Sequence, residues 1–207
     1  MHTITARLIS GLLHPALIPT YVFSFIFFFS PSLIAYKSEQ KFALLAMIFL
    51  LTFVFPVLSI LVYYRLRLIA SLSIASRQER VLPFLTISIF YLVITYFFSA
   101  QPHIFSLISQ VMLGITLVVV AVTILTFFYK ISVHSAGVSG AISIFIGLQS
   151  LYPQEYFLYP VILWILFLGF VVSARLALEA HTYDELIAGV LVGLGLPAMA
   201  LFLGNNY

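Results

Sequence analysis

Seven long runs without a charged residue dominate this chain, at roughly 16–36, 42–64, 84–102, 104–129, 135–153, 156–174 and 186–204. A helix crosses a bilayer with about 20 mostly apolar residues. In lipid, each backbone N–H and C=O must find its partner within the protein, which favours helices and rules out an open sheet. The expected fold is therefore all-α: a polytopic transmembrane helix bundle of seven spanning helices, or six if one pair merges or one segment lies flat. Only 7% of the residues are charged and 63% are hydrophobic, whereas a soluble domain has about a quarter of its residues charged. One integral membrane domain covers residues 1–207, with no soluble domain, low-complexity tract or internal repeat.

Other features narrow the chemistry. The absence of cysteine excludes disulfides, thiolate metal sites and a cysteine nucleophile. A dispersed net charge of +3 argues against a nucleic-acid partner. The N-terminal run carries a lone Arg7 and no small-residue cleavage site, so it reads as a retained helix rather than a signal peptide.

The separators between runs are of two kinds. Tyr36–Lys41, Ala100–His103 and Tyr152–Glu155 are polar turns with little chemistry of their own. Arg65–Pro83, Lys130–Ser135 and Ser173–Glu185 together hold six of the nine Lys and Arg residues. Two helices separate each of these segments from the next, and an even number of crossings returns the chain to the same face. All three are expected at one end of the bundle, with site segments at 76–83, 130–135 and 173–185. Gly189 and Gly193, and the glycines after Lys130, suit close helix packing. Pro56 and Pro197 are expected to kink their helices. Arg65–Leu68 is expected to prolong the second helix into the headgroups.

Each polar segment has a bland reading beside a chemical one. His181 and Glu185 are four apart and share a helix face. A carboxylate there can hold a ring N–H and leave the other nitrogen as nucleophile or base. Thr182 and Glu185 equally form a capping box for the last helix. Lys130, Ser132 and His134 suit a membrane interface, or a second half of the same site. Arg77 and Arg80 suit a loop anchor, or a phosphate clamp with Lys130 and Arg175.

Taken in order, these residues resemble the type-2 phosphatidic acid phosphatase superfamily. Arg175, five residues, His181, three residues and Glu185 match its third signature, with glutamate for aspartate and Ser173 displaced by one position. Ser132-Val133-His134 resembles the second, with valine where glycine is usual. Arg80-Val81-Leu82-Pro83 resembles the first, with arginine and proline spread apart and no lysine upstream. The likeness spans roughly residues 76–189.

The resemblance implies a membrane lipid phosphatase that works without metal or other cofactor. It implies His181 as nucleophile through a phosphohistidine, Glu185 as its orienting partner and His134 as general acid. Arg77, Arg80, Lys130, Ser132 and Arg175 would hold the phosphate. The nearby acids, Glu79, Glu179, Asp184 and Glu185, are poorly arranged for a two-metal site. The expected partners are the bilayer and a phosphorylated lipid: a polyprenyl diphosphate, phosphatidic acid, phosphatidylglycerol phosphate or a lipid A phosphate. The alternatives are a lipid phosphotransferase, or a catalytically degenerate protein that binds or transports a lipid. Charge counting places the site in the cytoplasm only if the candidate phosphate ligands are counted. The resemblance favours a bacterial inner membrane with the site on the periplasmic face.

Overall fold

The computed structural model describes residues 1–30, 33–72, 74, 76–101 and 106–204, without the side chains of 203 and 204. Nine α-helices occur among the described residues: α1 Thr3–Leu12, α2 Ile18–Phe29, α3 Ser38–Phe49, α4 Phe55–Arg65, α5 Arg77–Ala100, α6 Ser106–Thr126, α7 Val133–Leu151, α8 Leu158–Ala177 and α9 Tyr183–Gly204. A 3₁₀ turn, Pro15–Leu17, joins α1 to α2, and a π-turn, Leu50–Val54, joins α3 to α4. These joins leave seven helical rods. No strand occurs among the described residues.

Six of the rods are long and apolar enough to cross a membrane: Thr3–Phe29, Ser38–Arg65, Arg77–Ala100, Ser106–Thr126, Leu158–Ala177 and Tyr183–Phe202. Their outward faces carry large apolar side chains such as Leu92, Val93, Ile162, Leu166 and Phe170. Water would penalise such a surface and lipid accepts it. The remaining rod, α7, is buried along twelve of its nineteen residues, so it is the bundle's central helix. Its serines and glycines lower its hydropathy because they face other helices rather than lipid.

The α7–α9 crossing is a close one. A Cβ at Gly189 would strike Ser132 O and Ser135 Oγ, and one at Gly193 would strike Ala136 O and Ser139 Oγ. This is the small-residue contact expected from the glycine spacing. Serine hydroxyls on this face are satisfied locally: Ser139 Oγ donates to Ser135 O at 2.7 Å. Ser143 does more. Its Oγ donates to Leu194 O at 2.7 Å and accepts from Ala198 N at 3.1 Å. The hydroxyl is thus inserted into the α9 ladder beside Pro197, which has no N–H to give. Pro56 acts differently. Its ring would crowd the Thr52 carbonyl four residues back. The chain widens into the π-turn there, with Phe55 N–H donating to Leu50 O.

Several boundaries differ from the sequence reading. The first rod begins at Thr3, not near 16, and is interrupted at Leu13–Leu17. Arg77, Arg80 and Pro83 lie inside α5 rather than in a loop, because Ser76 Oγ accepts from Glu79 N at 3.4 Å and starts the helix earlier. The second rod stops at Arg65, and Arg67 turns left-handed with φ 59°, so Arg65–Leu68 does not prolong it. The turn expected at Ala100–His103 lies outside the described residues beyond Gln101.

Candidate functional site

The site begins at a tight reversal after α8. Ala180 N–H returns to Arg175 O at 3.1 Å, and Glu179 takes a left-handed φ of 50°. The turn delivers His181 and Thr182 to the start of α9. Glu185 Oε2 accepts from His181 Nδ1 at 2.6 Å and from Thr182 N at 3.3 Å. Glu185 N–H donates in turn to Thr182 Oγ1 at 3.4 Å. The two readings of Glu185 therefore coexist: one carboxylate oxygen closes the capping box and holds the histidine. With Nδ1–H given to a carboxylate, Nε2 of neutral His181 keeps its lone pair.

The His181 side chain is 2% exposed and that of Glu185 13%. Burial lowers the His181 pKa below its ordinary 6.5, and the Arg80 and Arg175 charges push the same way. The Glu185 hydrogen bond opposes them. The net effect keeps the imidazole neutral and nucleophilic well into mildly acidic solution.

The other two segments are tied to this one. Ser132 N–H donates to Glu185 O at 3.1 Å, and Ser135 Oγ donates to Leu186 O at 3.0 Å. Lys130 Nζ stands 3.9 Å from Glu185 Oε2. Arg80 Nε donates to Ile74 O at 2.9 Å and its Nη1 to Ile131 O at 3.4 Å. Ile74 is itself held at a φ of 45°, costly for a β-branched residue. The three segments anticipated from the crossing count do meet at one end of the bundle.

They meet around a cavity of about 220 Å³. His14, Arg80, His134, Arg175 and His181 line it together with apolar walls that include Val118, Val122, Ile144 and Pro197. Ile144 lies eleven residues along α7 from Val133, or about 16 Å at 1.5 Å per residue. The cavity therefore runs from charged helix ends some way into the bundle. Arg175 Nε is buried and has no hydrogen-bond partner, so a cationic donor stands unsatisfied beside the cavity.

The expected site residues divide into three groups. His134, His181, Arg80 and Arg175 line the cavity. Glu185 stands behind His181, with Lys130 beside it. Ser132 and Arg77 are occupied elsewhere. Ser132 is fully buried and caps α7, accepting from Ser135 N at 3.4 Å. Arg77 Nη1 donates to Phe127 O at the end of α6. Val133 occupies the first helical position of α7 and lines the cavity. Its backbone is not left-handed.

One cavity residue escaped the sequence reading altogether. His14 follows the last turn of α1, and its ring lies edge-to-face against His134 with centroids 5.7 Å apart. The visible signal was His14-Pro15, a polar residue and a helix breaker at the edge of an apolar run.

Among the described residues, no group of three or more His, Asp or Glu side chains gathers as metal ligands. No family model, curated protein or solved structure matches the chain.

Proposed function

We propose that this protein is a membrane lipid phosphatase that cleaves a phosphate monoester or diphosphate of a lipid. The observation that carries this reading is one cavity with two chemistries. Three histidines and two arginines line it at the helix ends, and apolar side chains line it further into the bundle. A phosphorylated lipid has the same two parts in the same order. The order and spacing of Arg175, His181 and Glu185, resembling a phosphatase signature, support it from the sequence side.

His181 Nε2 attacks phosphorus, and the bond from phosphorus to the lipid oxygen breaks. That oxygen keeps the bonding electron pair and takes a proton from His134. Water then attacks the phosphohistidine, His134 takes a proton from it, and the P–N electron pair returns to Nε2. Phosphate leaves, and both histidines are restored. Glu185 holds Nδ1–H throughout and stabilises the imidazolium character that develops during attack. Arg80 and Arg175 meet the equatorial oxygens, where transition-state charge accumulates. The N-terminal end of α7, with Val133 and His134 in its first turn, adds a positive helix end at the same place. A bacterial inner-membrane setting with the site on the periplasmic face completes the reading.

The test is phosphate release in detergent from a panel holding a polyprenyl diphosphate, phosphatidic acid, phosphatidylglycerol phosphate and a lipid A phosphate. At least one is expected to turn over, at a rate unchanged by a chelator. Failure of the whole panel overturns the proposal.

A further inference from the structure

The N-terminal rod, which lies outside the three polar segments, also supplies part of the site. Its α1 packs against α8, with Ala6 and Ser10 buried and Ile4, Leu8 and Leu12 exposed. The chain then breaks at His14-Pro15. Gly137, one turn beyond His134, has no Cβ to hold Pro15 and Ile18 away. The break therefore sits directly on the start of α7.

Two contacts from this strap reach His134. Ser10 O lies 3.2 Å from His134 Nε2. A carbonyl can only accept, so Nε2 carries its proton toward Ser10. The His14 ring covers His134 edge-to-face, with an interplanar angle of 81°. His14 is itself fixed. Its Nδ1 accepts from Ala16 N at 3.3 Å, and its other side packs on Phe53. Thr52 Oγ1, in the π-turn, donates to Ile48 O at 2.8 Å and lies 3.4 Å from Ala16 O of the strap.

We propose that His14 is a positioning residue for His134: it pins the imidazole with Nε2–H on the Ser10 carbonyl, so that Nδ1 is the nitrogen that passes a proton to the leaving oxygen. The inference rests on the phosphatase reading above. In the first step the doubly protonated His134 loses its Nδ1 proton to the oxygen leaving phosphorus and keeps Nε2–H on Ser10. In the second, Nδ1 recovers a proton from the attacking water. The N–H to carbonyl bond is strongest while the ring is charged, so the Ser10 carbonyl favours the proton-donating form. A ring free to turn would present the wrong nitrogen for part of the time, and misalignment of an acid is costly in rate.

The test compares two substrates that differ in their need for an acid. A long-chain alkyl monophosphate leaves as an alkoxide and requires a proton. p-Nitrophenyl phosphate leaves as a stable phenolate and does not. His14→Asn keeps an acceptor for Ala16 N–H but removes the ring. His14→Phe keeps the ring against His134 but removes the acceptor. In the full chain in detergent, His14→Asn is expected to lose about tenfold in kcat on the alkyl phosphate and less than about twofold on p-nitrophenyl phosphate. His14→Phe is expected to recover most of the alkyl-phosphate rate. Equal losses on both substrates would show a merely structural role and overturn the inference, as would no loss on either. A wild-type protein inert toward both substrates and toward the whole lipid panel above would instead remove the phosphatase reading, and this inference with it.

Discussion

At the scale of single residues, Glu185 carries the most consequence. Its Oε2 is shared between His181 Nδ1 and Thr182 N–H, so replacement affects chemistry and helix start together. Glu185→Gln keeps the shape and removes the charge. Because Glu185 raises the His181 pKa against burial, its loss lets that pKa fall further. In the proposed mechanism neutral His181 is the reactive form. The acid limb of kcat/KM is therefore expected below the ordinary histidine value of 6.5 in the wild type, and lower still in Glu185→Gln, with kcat reduced at every pH. A pH–rate profile of both proteins checks the sign. Ser143 offers a stability counterpart. Ser143→Ala would strand Ala198 N–H and Leu194 C=O inside the bundle, at about 1–3 kcal/mol for a buried unsatisfied group. Glu179→Gly, at a φ of 50°, is expected to stabilise by up to about 1 kcal/mol. Thermal unfolding in detergent reads both changes.

At the scale of helices, the α7–α9 crossing decides whether a site exists. His134 stands on the first turn of α7, and His181 and Glu185 stand at the start of α9. Gly193→Ala would drive a methyl group into Ala136 O and Ser139 Oγ. It is expected to destabilise by about 1–3 kcal/mol and to lower activity by separating the two histidines. Gly169 and Gly195 have open space around them, so Gly169→Ala and Gly195→Ala are the controls and are expected to be silent. The seven rods and the crossing glycines were legible in the sequence, because apolar run length and small-residue spacing are local signals. The even crossing count brought Arg80, His134 and His181 to one end without any knowledge of packing. The helix break at Leu13–Leu17 was marked only by His14-Pro15, with no charged residue to set it off from the apolar run. The start of α5 at Arg77 was missed too. Charge and Pro83 resemble a loop, whereas Ser76 as an N-cap makes them the first turns of a helix.

At the scale of the whole molecule, the two ends of the bundle are chemically unequal. One end gathers Arg80, Lys130, Arg175 and the histidines around an apolar cavity. At the other, Lys41 is buried, with Nζ donating to Phe27 O at 2.8 Å in the last turn of α2. A lysine used as a helix C-terminal partner carries little information about orientation, so counting charges across the membrane says less than it first suggests. Labelling of a single cysteine placed at exposed Ser76 in intact cells reads the orientation directly, and access from outside is expected. The central claim is that His181, held by Glu185, is the nucleophile of a lipid phosphatase. Its most direct measurement uses a lipid substrate labelled in its phosphate, with turnover quenched in alkali, where phosphohistidine survives. The account predicts label on the wild-type protein and none on His181→Ala, which also releases no phosphate. Undiminished phosphate release by His181→Ala would contradict it.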